Sequence, residues 1–170
     1  GLCGLALLLA LTPLCGRVSA EDNPLQAENA VTTTADSVGQ EMTAERTINA
    51  AVGCSYRTHV QNVGWQGFVS NGVISGTEGQ SLRLEGIEVK LENVGGDVGI
   101  EYTTHVENIG WQNYVKNGAM SGTSGQSLRL EAIKIRLTGA SAENYDVYYQ
   151  VHAQNFGWLD WAINDASAGT

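Results

Sequence analysis

The sequence predicts an all-β domain with pseudo-threefold internal symmetry, a β-trefoil or a β-prism, behind a signal peptide and a flexible spacer. Three observations carry this. First, one stretch occurs three times: Tyr56-Arg-Thr-His-Val-Gln-Asn-Val-Gly-Trp65, Tyr102-Thr-Thr-His-Val-Glu-Asn-Ile-Gly-Trp111 and Tyr149-Gln-Val-His-Ala-Gln-Asn-Phe-Gly-Trp158. The Gly-Trp pairs lie 46 and then 47 positions apart. Second, residues 56–91 and 102–137 are identical at 23 of 36 positions. A fixed period of about 20–50 residues marks a repeat architecture. Third, each copy mixes period-two alternation with tight-turn signals, the pattern of short strands. One such unit has too few strands to stand alone, so three are expected to share a core.

Taken in order, residues 1–20 have the composition of a secretory leader. Residues 5–14 form an apolar core, and Val18-Ser19-Ala20 supplies small residues before Glu21. With no Met and no basic region ahead of it, the leader is expected to be truncated at its N-terminus. It is too short for a transmembrane helix, which needs roughly 20 apolar residues. Residues 21–55 are rich in Ala, Thr, Glu and Asn and are expected to be a flexible linker, because they bury too little to offset ordering entropy. A short helix over 43–52, capped by Thr43, is the one element expected there.

The repeat domain spans 56–170, with repeats at about 56–91, 102–137 and 149–170. In the first, Tyr56, Thr58 and Val60 alternate with Arg57, His59 and Gln61, which predicts a strand. Gly64 predicts a bulge, turn or close approach. Asn71-Gly72 predicts a tight turn, and Gly76-Thr-Glu-Gly79 a second. From Leu82 a long strand follows. Its apolar phase shifts by one at Gly86, which predicts a bulge or bend. The second repeat repeats the plan, with its turn at Asn117-Gly118 and its bend near Ala132.

Composition bounds the function. The chain is 42% hydrophobic and 16% charged, which suits a folded domain, and its net charge is −9. Without Arg17 of the leader, 8 basic and 18 acidic residues remain, a net −10. That balance argues against nucleic acid and anionic membrane surfaces. Cys3 and Cys15 fall in the leader, so Cys54 stands alone and no disulfide framework is expected. Cys54 is expected to be an incidental linker residue.

The pattern Tyr-x-x-His-Val-x-Asn-x-Gly-Trp followed by Asn-Gly-x-x-Ser-Gly-Thr-x-Gly-Gln-Ser-x-Arg-Leu-Glu-x-Ile resembles the ChW repeat, "clostridial hydrophobic with conserved tryptophan". Two copies match nearly throughout. The third has Leu159-Asp160 where the others have Gln66-Gly67 and Gln112-Asn113. It has Asn164-Asp165 for Asn-Gly, stops before an Arg-Leu-Glu strand, and is expected to be incomplete. The resemblance implies a secreted or surface protein of anaerobic Gram-positive bacteria, in which such repeats accompany hydrolase or adhesion modules. It brings no catalytic or binding residues with it.

Candidate chemistry centres on the tryptophans. A Trp beside Gly is expected to be the core plug of its repeat, since Trp is usually largely buried. The alternative is a sugar-stacking face with amides beside it. That reading gives three subsites: Trp65 with Asn62 and Gln66, Trp111 with Asn108 and Gln112, and Trp158 with Asn155. Three weak subsites gain by multivalency on a repetitive ligand. His59, His105 and His152 recur once per repeat. They are expected on separate faces rather than converging on a metal. Arg83 with Glu85, and Arg129 with Glu131, are expected to form cross-strand ion pairs that fix register. No catalytic motif and no cofactor motif is present. The expected function is a non-catalytic extracellular module that binds a polysaccharide or cell-wall polymer, with a surface protein as a further candidate partner. The alternative is a structural or adhesion module with buried tryptophans.

Overall fold

Alternation around Tyr56 gives a strand whose even-numbered residues, Cys54, Tyr56, Thr58 and Val60, are fully buried. The structure is a computed structural model that describes residues 1–11 and 52–170, residues 5–11 by backbone alone. The expected helix over 43–52 and most of the expected linker lie outside the described residues. The end of that linker is corrected: Gly53, Cys54 and Ser55 belong to a strand. Burial pushes the Cys54 thiol up to about 12, with Glu92 adding to it, so this is a core residue.

Strand β1 (Leu2–Leu11) opens the chain. The first repeat supplies β2 (Gly53–Val60), β3 (Gly64–Trp65), β4 (Val69–Ser70), β5 (Ser75–Gly76) and β6 (Leu84–Glu92). The second supplies β7 (Gly99–Val106), β8 (Gly110–Trp111), β9 (Val115–Lys116), β10 (Ser121–Gly122) and β11 (Leu130–Thr138). The third supplies β12 (Tyr145–Ala153), β13 (Gly157–Trp158), β14 (Ala162–Ile163) and β15 (Ala168–Gly169), entered by a single 3-10 turn at Ala142–Asn144.

In each lobe a long opening strand pairs antiparallel with a long closing strand: β2 with β6, β7 with β11 and β12 with β1. The registers are equivalent. Val60 faces Leu84, Val106 faces Leu130 and Ala153 faces Leu2, with the predicted bulge just beyond. The short Ser-Gly strands then cross to a neighbouring lobe. β10 of lobe two pairs with β6 of lobe one, β15 with β11, and β5 with β1. The lobes therefore interlock in a ring. Among the described residues three separate sheets surround one core with no shared barrel, the prism arrangement of the two predicted alternatives.

The crossing needs glycine. Gly76, Gly122 and Gly169 have φ of 115°, 111° and 146°. A Cβ on them would run into the carbonyl oxygens of Cys3, Glu85 and Glu131 respectively. The hydrogen bond beside each is also shared: the N–H of Thr77 donates to Cys3, that of Thr123 to Glu85 and that of Thr170 to Glu131.

The core is filled by Tyr56, Tyr102 and Tyr149, the largest fully buried side chains among the described residues, with Leu2, Leu84, Leu130, Ile87 and Ile133. Each tyrosine hydroxyl donates to a carbonyl 17 residues on: Val73, Ala119 and Ala166. That of Tyr102 also accepts the N–H of Val89, 3.0 Å away in the preceding lobe.

Residues 2–11, expected within a leader, thus sit as the closing strand of lobe three. A run of ten apolar residues suits an export signal and a buried strand equally, and periodicity alone does not separate them.

Candidate functional site

The turn after each opening strand sets the site. Asn62, Asn108 and Asn155 take left-handed φ of 62°, 62° and 69°, a conformation Asn tolerates better than most residues. Gly64, Gly110 and Gly157 follow at φ of 88°, 89° and 78°. This tight reversal brings the tryptophan opposite the histidine: Trp65 pairs with His59, Trp111 with His105 and Trp158 with His152. The histidines lie on the face opposite Tyr and Val, so the tryptophans lie on the outer face.

Expectation of Trp as the core plug is corrected here. Tyrosine fills that place. Trp111 is 42% exposed, while Trp65 and Trp158 are half-buried. Each tryptophan meets its histidine edge to face, with ring centroids 5.4 Å apart and interplanar angles of 79°, 80° and 81°. Such geometry suits the ring quadrupole and fixes both side chains.

Behind each histidine stands a polar group. His105 Nδ1 is 3.1 Å from Glu131 Oε2. His59 Nδ1 is 3.2 Å from Glu85 Oε2, close but without hydrogen-bond geometry. In lobe three Cys3 takes the carboxylate's place, its Sγ 2.8 Å from His152 Nδ1. Each histidine therefore serves its own lobe. Among the described residues no group of three or more metal-ligating side chains comes together.

A second aromatic, absent from the sequence reading, stands three residues after each tryptophan: Phe68, Tyr114 and Trp161. The signal was present as an aromatic at Trp+3 in all three repeats. Phe68 is 40% and Trp161 47% exposed. Cations lie over the rings in lobes one and two. The Arg57 guanidinium is 4.8 Å from both the Trp65 and Phe68 centroids, and Lys90 is 4.3 Å from Phe68. In lobe two Lys134 is 4.7 Å from Trp111, and Arg136 is 3.9 Å from Tyr114. These contacts are worth about 0.5–1 kcal/mol at exposed sites. Tyr114 donates to Asp165; burial first, and then that carboxylate, push its hydroxyl up to about 12.

The amides divide. Asn62, Asn108 and Asn155 are exposed at the turn tips. Gln66 and Gln112 brace the lobe instead. Gln66 Oε1 accepts the N–H of Gly76 at 2.6 Å and the Thr58 hydroxyl at 3.2 Å, and its Nε2 donates to the Gly76 carbonyl at 3.3 Å. Gln112 does the same with Gly122 and Thr104.

The expected cross-strand pairing of Arg83 with Glu85 is also corrected. Both lie along the same side of one chain segment, 2.8 Å apart, and Arg129 likewise meets Glu131 at 3.2 Å. The register pairs are Arg57 with Glu88, at 2.7 Å, and Arg136 with Glu101, at 2.8 Å.

No curated protein and no solved structure matches the chain. The family described as "ChW: Clostridial hydrophobic W" matches residues 59–93 and 105–139, each running from the histidine that flanks the Trp to just past the closing strand. Lobes one and two are thus two ChW repeats of the clostridial hydrophobic W family, and lobe three, outside the matched residues, carries the same His-Trp pair in the same register.

Proposed function

We propose that this domain is a non-catalytic extracellular module that binds carbohydrate or another cell-envelope polymer through one aromatic subsite per lobe. One observation carries the reading: the same His-Trp edge pair stands on the outer face of all three lobes, while tyrosines fill the core. A tryptophan outside the core, held by its histidine and in lobes one and two also met by a cation, keeps an aromatic ring at the surface. That is what stacking on a sugar ring requires. Trp65, Trp111 and Trp158 are the stacking residues. Asn62, Asn108 and Asn155 at the exposed tips are the amides within the same turns. Gln66 and Gln112 support the subsites from behind.

The test is a pull-down of the full chain on insoluble polysaccharides and purified bacterial cell walls, beside Trp111→Ala. Binding that the substitution weakens, with circular dichroism unchanged, supports the reading. Binding that Trp111→Ala leaves untouched overturns it.

A protein-contact reading has its own support. Val63, Ile109 and Phe156 occupy one equivalent tip position and are 56%, 53% and 71% exposed. It rests on those tips and not on buried tryptophans. Retention of a surface protein by a chain with intact tips, lost when all three are changed to Ser, would favour it.

A further inference from the structure

The closing strand of lobe three comes from far outside its own repeat. Lobes one and two are closed by the strand that ends their own repeat, Leu84–Glu92 and Leu130–Thr138. Lobe three is closed by Leu2–Leu11, which pairs with Tyr145–Ala153 on one side and with Ser75–Gly76 on the other. The backbone features at the head of the other two closures are reproduced. The bulge falls between Leu2 and Gly4, as it does between Leu130 and Ala132. The N–H of Gln154 donates to the Gly1 carbonyl as that of Gln61 does to Arg83 and that of Glu107 to Arg129. Leu2 is as buried as Leu84 and Leu130.

The side chains fit less well. In lobes one and two Arg-Leu leads into the bulge, and the glutamate within it stands beside the histidine. In lobe three Gly1 and Cys3 hold those positions. A cavity of about 210 Å³ opens beside them, lined by Gly1, Cys3, Arg83, Arg129 and His152. A Cβ on Gly1 would meet the Arg129 side chain, so an arginine at this position needs that flexible chain to shift. Leu2–Leu11 thus has the backbone of a closing strand without its polar head.

We propose that the groove between β12 and β5 is a strand-acceptor site for an extended segment of the repeat's own closing type. That segment carries Arg-Leu-Glu, then a small residue, then alternating branched apolar residues. Leu2–Leu11 fills the groove in cis and yields to such a strand. Strand addition at an open sheet edge draws affinity from main-chain hydrogen bonds and specificity from alternate side chains. Here the specificity lies in the glutamate, which would meet His152 as Glu131 meets His105. The same residues carry the composition of an export signal, so their removal on secretion would vacate the groove.

The probe is a labelled peptide of residues 83–92, Arg-Leu-Glu-Gly-Ile-Glu-Val-Lys-Leu-Glu, added to the full chain and to Ala6→Pro/Leu7→Pro. Adjacent prolines remove β1 donors on both edges, so one of them breaks the pairing with β12. The variant should bind the peptide at least about tenfold more tightly than the unaltered chain, and the peptide should restore slow hydrogen exchange at the amides of Tyr145–Ala153. A peptide with Ala for the glutamate should bind more weakly to the variant. If the variant chain does not fold alone, recovery of its near-ultraviolet circular dichroism on refolding with the peptide gives the same support. The proposal is overturned if the peptide neither binds nor slows those amides, if they exchange as slowly in the proline variant as in the unaltered chain, or if refolding is unchanged by the peptide.

Discussion

The hydroxyl of Tyr102 accepts the backbone N–H of Val89 across the boundary between lobes one and two. It donates in turn to Ala119 of its own lobe. One buried side chain thus holds two lobes in register. Tyr102→Phe keeps the ring and removes both bonds, leaving a buried N–H without a partner. We predict a loss of about 1–3 kcal/mol in urea unfolding. Tyr148→Phe, on a side chain that points away from the core, should cost less than about 0.5 kcal/mol.

Alkaline pH should release the same ties. Burial, the largest cause, raises Tyr102 and Tyr149 from 10 to about 12. A raised folded-state value means that the native state holds its phenolic protons more tightly than the unfolded chain. The stability this provides is complete below about pH 10 and is lost as pH rises toward 12. Melting temperature should fall across that window, and fall less steeply in Tyr102→Phe.

Lobe three shows how a buried polar cluster can be exchanged. Thr58 and Ser75 hydroxyls meet at 2.9 Å with Gln66 above them, and Thr104, Ser121 and Gln112 repeat the arrangement. In lobe three the three positions are Val151, Leu159 and Ala168, all apolar. Changing one member strands its partners; changing all three does not. Thr58→Val alone should cost about 1–3 kcal/mol. The triple Thr58→Val/Gln66→Leu/Ser75→Ala should cost less than the sum of its single changes, as a mutant cycle in denaturant would show.

Gly122 interlocks lobe two with lobe one at φ 111°, against the Glu85 carbonyl. Gly125 has φ 69° with open space around its missing Cβ. Gly122→Ala should therefore cost about 2 kcal/mol or more, from clash and strain together. Gly125→Ala should cost about 1 kcal/mol, from strain alone. Thermal unfolding of the two variants side by side checks the order.

Much of this was legible in the residues. The repeat, the strand at Tyr56, the turn at Asn71-Gly72 and the bulge at Gly86 follow from period and local backbone chemistry. The division of labour between Tyr and Trp was not. Alternation places Tyr56 on the face of Thr58 and Val60, but the face of Trp65 depends on how the turn at Asn62 and Gly64 sets register with His59. A two-residue strand carries no periodicity of its own. Nor does the sequence show that Leu2–Leu11 pairs with Tyr145–Ala153, because that pairing joins the two ends of the chain and no local rule reports it. Gln66 resembles a ligand amide from sequence and is a strut because Gly76 crosses beneath it.

The central claim is that three outer-face tryptophans form additive subsites on one rigid body. The most direct measurement is the depletion isotherm of the full chain on a polymer it retains, for Trp111→Ala, Trp65→Ala/Trp111→Ala and the triple variant with Trp158→Ala. The account predicts a stepwise loss with each removed ring, steeper than the loss of one site alone, because linked weak sites multiply. A triple variant that keeps its circular dichroism and binds as tightly as the unaltered chain would contradict it.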